Sequence, residues 1–209
     1  MKRKGIFITF EGPEGSGKST MVKVAARYFR KQGCAVLLLR EPGGTAISEA
    51  IREILLDRKN LRMKPATELF LYLAARAQIV REKIMPALDQ GKVVICDRYH
   101  DSTVVYQGSA GTLSSEVIDY CGEFAKGGLE PKDTFLFDVE VEEGLKRAGR
   151  TDRMENKPLH FHEKVRRGFL ALAKKYPMRI HVLKDEKDVR QKVAKLKDLL
   201  GRLFPGDLK

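Results

Sequence analysis

The sequence predicts an α/β protein: a three-layer α/β/α arrangement on a central, mostly parallel five-stranded sheet. Three observations predict it. Short apolar runs alternate with longer stretches of helical periodicity, which is the pattern of βαβ units. The apolar runs are β-branched or aliphatic and nearly continuous, as in strands covered on both faces. The 209 residues suit one compact domain spanning residues 1–209, with no repeat or Ser/Gly linker to divide it.

The five expected strands are Ile6–Phe10, Ala35–Arg40, Val93–Cys96, Thr134–Val139 and Arg179–Leu183. The first follows a basic head, Met1-Lys-Arg-Lys, but its apolar run is too short for a signal peptide. Helices are expected at Lys18–Gln32, Ile47–Leu56, Pro65–Gln90, Ser114–Lys126, Val141–Ala148, Leu159–Tyr176 and Glu186–Phe204. Gly33 and Gly91 stand where helices stop. In the last helix Val189, Val193, Leu196, Leu200 and Leu203 share a face, and the Lys-rich remainder reads as a wet face. Leu69, Leu73 and Ile79, or the helix after Asp101, could serve core or interface.

Composition excludes several classes. Hydrophobic residues make up 43% and charged residues 33%, as in ordinary globular proteins. No apolar run approaches the ~20 residues that span a bilayer, so no membrane role is expected. Cys34, Cys96 and Cys121 are widely spaced and make no CxxC pair, which points to free thiols in a reducing cytoplasm. The formal net charge is +12, and it asks for an anionic partner. The basic residues are interleaved with acids along helices. That suits a basic cleft for phosphates better than a nucleic-acid stripe.

One motif is explicit. Gly12-Pro13-Glu14-Gly15-Ser16-Gly17-Lys18-Ser19 fits GxxxxGK[ST], with a strand before it and a helix after it, and Thr20 continues it. Its glycines let successive backbone N–H groups converge on phosphate oxygens. The helix from Lys18 adds the positive end of its dipole. Lys18 is expected on the β- and γ-phosphates of a nucleoside triphosphate, and Ser19 on Mg²⁺. A second acid for Mg²⁺ is sought at a strand's carboxyl end. Asp97 is preferred because Arg98 beside it offers a cation for another phosphate; Asp138 is its rival. A small GTPase would carry an Asn-Lys-x-Asp motif, and Asn156-Lys-Pro-Leu159 lacks the acid. A DNA motor would need more chain.

Further segments follow in order: Phe10-Glu-Gly, Arg40-Glu-Pro-Gly-Gly-Thr45, Ile51-Arg52, Leu73-Ala-Ala-Arg-Ala-Gln78, Asp97-Arg-Tyr99, Asp101-Ser-Thr103, Tyr106-Gln-Gly108, Asp152-Arg-Met-Glu155 and Phe161-His-Glu-Lys-Val165. Together they resemble the bacterial-type thymidylate kinases of the P-loop nucleoside monophosphate kinase superfamily, over nearly the whole chain. The resemblance implies a P-loop kinase fold, phosphorylation of dTMP to dTDP by ATP with Mg²⁺, and a homodimer. It implies that Arg98 and Arg52 hold the dTMP phosphate, with Arg40 and Glu41 near it. Arg76 would bond the thymine, with Tyr72 stacked on the ring. Ser102, Thr103 and Gln107 would line the base pocket. Tyr106 would crowd the sugar 2′ position, and Glu14 would lie near the 3′-hydroxyl.

The family brings one arginine to the transferred phosphoryl, from the loop or from a lid. Gly15 stands where the loop would carry it, so a lid segment at about 146–158 should supply it. Arg153 is favoured, with Arg150 close behind and Arg147 a third candidate. The rival readings are another nucleotide kinase and a P-loop ATPase that acts on nucleic acid.

Overall fold

The computed structural model describes residues 5–149, 152–186 and 188–205. Its sheet has five strands: β1 (Ile6–Glu11), β2 (Val36–Arg40), β3 (Val93–Asp97), β4 (Asp133–Asp138) and β5 (Ile180–Lys184). Their order is β2-β3-β1-β4-β5, and every pairing is parallel. The chain runs outward from β1 to β2, returns to β3, then crosses β1 to β4. The crossover direction thus reverses beside β1, and ligands of open α/β sheets bind at that crevice. The register makes the edge level. Phe10 and Arg40 both lie opposite Asp97, so Glu11, Arg40 and Asp97 leave the sheet together.

Helices cover both faces. On one, α1 (Lys18–Lys31) and α9 (Val189–Leu203) pack over Ile8, Phe10, Phe135 and Phe137. On the other lie α2 (Ala46–Leu56), α3 (Pro65–Ile79), α4 (Met85–Asp89), α5 (His100–Thr103), α6 (Ser115–Lys126), α7 (Val141–Ala148) and α8 (Leu159–Lys175). There Val94, Cys96 and Leu136 meet Ile79, Ile84, Val165 and Phe169. Leu69, Leu73 and Ile79 are core within the one chain, and Cys96 is buried as expected. Gly33 and Gly91 do end helices, both with positive φ. Among the described residues no helix is long and apolar enough to cross a membrane.

Two departures from the sequence reading matter. The long helix expected at Pro65–Gln90 is broken by a π turn, Val80–Ile84, in which the Met85 N–H reaches back to the Val80 carbonyl. Pro86 has no N–H to donate and its ring crowds the carbonyl four residues back, so the helix widens there. The second concerns the helix expected after Asp101: it begins at His100 as α5 and continues as a π turn, Val104–Ser109. Its Thr-Val-Val-Tyr run has strand-like composition. Tertiary packing overrides that preference, with Val105 and Tyr106 buried against α8. Such π segments occur often at functional sites, and this one carries Tyr106 and Gln107.

Candidate active site

A cleft of about 290 Å³ opens at the carboxyl edge of the sheet, near the lower end of ligand-site volumes, ~300–1,000 Å³. The phosphate loop forms one wall. Gly12, Gly15 and Gly17 have φ of 142°, 64° and 84°, which L side chains rarely adopt. Gly17 precedes α1 with no side-chain cap, so the first N–H groups of the helix stay available to an anion. Lys18 folds onto the loop, donating to the carbonyls of Gly12 at 2.9 Å and Pro13 at 2.7 Å. Ser16 also donates to Pro13. Thr20 is exposed on the first turn. Burial, then the charge of Arg98, pushes the Lys18 ammonium down to about 8, against the pull of Asp97, Glu14 and Glu11.

The loop explains its own missing arginine. A Cβ on Gly15 would stand 1.9 Å from the Gly144 carbonyl oxygen, and one on Gly144 would stand 2.5 Å from the Glu14 oxygen. Helix α7 is flush against the loop there. No side chain fits at position 15.

Ser19 donates to the Asp97 carboxylate at 2.8 Å. A hydroxyl and a carboxylate beside a phosphate-binding lysine are hard oxygen donors that fit Mg²⁺. That ion takes one or two protein oxygens and completes its shell from phosphates and water. Asp138 is occupied otherwise: Arg166 grips it with two bonds, of 2.6 and 3.1 Å.

The opposite wall begins at the turn after β3. Arg98 is the non-glycine residue with positive φ, 71°, a conformation that costs free energy. Glu11, buried at the end of β1, holds the turn. It accepts the Tyr99 N–H at 2.7 Å and the Ser102 hydroxyl at 2.6 Å. Burial and the neighbouring Asp101 push its carboxyl upward, while Arg98 and these donors pull against them. The Arg98 guanidinium reaches Ser102 and Glu14 and lies 5.1 Å from the Tyr106 ring centre. The Tyr106 hydroxyl donates to the same Glu14 oxygen at 2.5 Å.

Arg76 is fully buried. Its Nε donates to Glu41 at 2.8 Å, its Nη2 forms an ion pair with the same oxygen at 2.8 Å, and its Nη1 donates to Thr103 at 2.9 Å. Ser102 and Thr103, expected to line the base pocket, do line the cleft, and they also hold the two arginines in place. Arg52 lines the cleft with Tyr72, and its Nη1 donates to the Pro42 carbonyl at 2.9 Å. Burial and the like charge of Arg40 lower the Arg52 proton affinity, a strain that an anion would relieve. Arg40 itself is tied to Glu49 and to the Pro42 carbonyl. Gln107 lines the cleft and donates to Glu68 at 2.8 Å.

Two of the three arginines expected in a lid, Arg153 and Arg147, do not line the cleft. Arg153 is buried behind the acceptor wall, with Nη1 2.6 Å from Glu68 and Nε donating to the Leu55 carbonyl at 2.8 Å. It does not line the cleft, whereas its neighbours Asp152, Met154 and Glu155 do. Arg147 is exposed and paired with Glu143 and Asp185. Arg150 lies outside the described residues.

Sequence reasoning passed over three residues. Glu11 stands in the Phe10-Glu-Gly string, where a strand-end acid before a glycine loop was a usable signal. His162, buried against Glu14, stands in the Phe161-His string on the same helix face as Val165 and Phe169. Lys192 was assigned to a wet face. Instead its ammonium is buried under the loop, pairing with Asp185 and lying 3.3 Å from the Ser16 carbonyl oxygen. A lysine in a lysine-rich helix gave no sign of it.

Comparison with known proteins agrees with this geometry. The family model described as thymidylate kinase matches residues 10–196. A curated thymidylate kinase of Geobacter sulfurreducens is 46% identical, covering 96% of this chain and 99% of its own. One from Thermoanaerobacter sp. (strain X514) is 44% identical, covering 92% and 98%. The crystal structure of thymidylate kinase from Ehrlichia chaffeensis superposes with a TM-score of 0.78 at 34% identity, covering 94% of this chain and 98% of that one. On fold, cleft and sequence alike, this chain belongs to the thymidylate kinase family.

Proposed function

We propose that this chain phosphorylates dTMP to dTDP with ATP as donor. One observation carries the reading: a single cleft joins a triphosphate cradle, Lys18 with Ser19 and Asp97, to an arginine-lined wall holding Arg52, Arg98 and Arg76 beside Tyr72. Two anions can therefore meet end to end.

The chain's own groups then divide the work. The loop N–H groups and Lys18 hold the β- and γ-phosphates. Ser19 and Asp97 would hold Mg²⁺ beside the bound triphosphate, where the ion would supply charge neutralisation. Arg98 and Arg52 bind the acceptor phosphate by their planar forks, a geometry Lys lacks. Arg76 spends most of its donors on Glu41 and Thr103 and offers the remainder to thymine, with Tyr72 on the ring. Tyr106 crowds the 2′ position, and Glu14 takes the 3′-hydroxyl. An oxygen of the dTMP phosphate attacks the γ-phosphorus, the bond to the β-phosphate oxygen breaks, and ADP leaves. The acceptor is already an anion, so positioning and charge neutralisation carry the rate.

The cation for the transferred phosphoryl is assigned to Arg150 in the lid at about 146–158. Arg153 would have to abandon its buried ion pair to reach the donor, and breaking such a pair costs about 3–5 kcal/mol. The implied homodimer would bury the α3–α6 face, where Phe70, Tyr120 and Phe124 are exposed, the last two at 83%. Light scattering at twice the monomer mass checks it.

A coupled assay across nucleoside monophosphates with ATP and Mg²⁺ tests the reaction. dTMP should give the highest kcat/KM, and no turnover on dTMP would sink the reading. Arg150→Ala should lower kcat by ~10³ with dTMP affinity kept. Arg153→Ala should instead lower stability by about 3–5 kcal/mol, because Glu68 is left without its cation. A folded, stable Arg153→Ala enzyme with a collapsed kcat would reverse the assignment. The depressed Lys18 value sets a pH dependence. Below about 8 the free enzyme presents the ammonium; above it, ATP must first restore the proton. KM for ATP should therefore rise by up to about tenfold per pH unit above that point. A flat KM through alkaline pH contradicts it.

A further inference from the structure

The contact between His162 and Glu14 has no role in the mechanism above. His162 sits on α8 at 1% exposure, and neither of its ring nitrogens has a hydrogen-bond partner. Its Nδ1 lies 3.4 Å from Glu14 Oε2, and that oxygen is also buried without a partner. The other Glu14 oxygen is taken by Tyr106 and Arg98. Glu14 lines the cleft beside Arg98 and Tyr106, while its unpaired oxygen is buried on the His162 side.

Buried polar atoms are almost always satisfied, and exceptions call for a reason. The neighbours Phe161, Val165 and Phe169 are apolar, and an apolar side chain would pack at position 162 with no unpaired nitrogen. A histidine facing an unpaired carboxylate oxygen is instead a hydrogen bond held long, which closes when the carboxylate is drawn into place. Burial would raise the Glu14 carboxyl. The His162 contact, Arg98, Lys18 and Tyr106 outweigh it and hold the group at about 2, so it is an acceptor at any working pH.

We propose that His162 is a positioning residue for the acceptor sugar. Its Nδ1–H anchors Glu14 Oε2 so that the carboxylate presents its other oxygen to the 3′-hydroxyl of dTMP. The proposal rests on the placement of Glu14 at the sugar given above. It separates two jobs on one carboxylate: the buried oxygen is the anchor on His162, and the other, braced by Arg98 and Tyr106, reads the hydroxyl.

The test compares kcat/KM for dTMP and 3′-deoxy-dTMP in the wild type, His162→Leu and His162→Asn. The ratio of the two substrates cancels any loss of folded enzyme. The wild type should prefer dTMP, and His162→Leu should cut that preference by about tenfold through KM for dTMP. His162→Asn, whose amide can replace the Nδ1–H, should recover it to within about threefold. Equal losses on both substrates, or an Asn variant no better than Leu, overturn the proposal and leave the Glu14 placement standing. A wild type indifferent to the 3′-hydroxyl removes the placement, and the proposal with it.

Discussion

The acceptor half of the cleft depends on the grip of Glu11 on the turn after β3. That carboxylate leaves the end of one central strand and holds the Tyr99 N–H and the Ser102 hydroxyl beyond the next. The grip offsets the cost of the left-handed backbone at Arg98. Because the register levels Glu11 with Asp97, one bracket serves both substrates. Asp97 faces Ser19 on the donor side, and Arg98 faces away toward Glu14 and Tyr106. A purely steric turn could supply the bend, but not a cation fixed in direction.

The same device recurs around the cleft. Arg98 is braced by Glu14, Arg76 by Glu41 and Arg153 by Glu68. Each guanidinium is oriented before any substrate arrives, so little reorganisation is needed when the phosphates enter. Buried ion pairs contribute little to stability once desolvation is counted. Their value here is orientation. Glu41 keeps one oxygen unpaired, and its burial raises its proton affinity against the pull of Arg76. The excess positive charge of the chain is thus organised by acids in the cleft, where two anionic substrates must be brought together against their repulsion.

Much of this was legible in the sequence. Five strands read correctly because strands covered on both faces must be continuously apolar, and Phe135, Leu136 and Phe137 leave no other option. The phosphate loop read correctly because few residue patterns let a backbone curl so tightly. The missing arginine at Gly15 was visible, but its reason was not: the bar is Gly144, distant in sequence and pressed on the loop by α7. The helix after Asp101 was legible, but its π turn Val104–Ser109 was not, since the β-branched residues there have a local preference that packing on α8 reverses. The burial of Arg153 was not legible because an arginine in a basic loop looks exposed until Glu68 is seen beneath it. Lys192 and His162 share that cause. Their partners, Ser16 and Glu14, lie more than a hundred residues away, and only the fold joins them.

The most direct test of this account is calorimetric titration of Glu11→Gln with each substrate. The amide accepts the Tyr99 N–H but faces Ser102 with a donor and carries no charge toward Arg98, so the turn loosens, while the charge lost near Lys18 is a minor one beside Asp97 and Glu14. The account predicts that dTMP binding weakens by about tenfold or more while ATP binding stays within about twofold. Unchanged dTMP affinity, or an equal loss for both substrates, would contradict it.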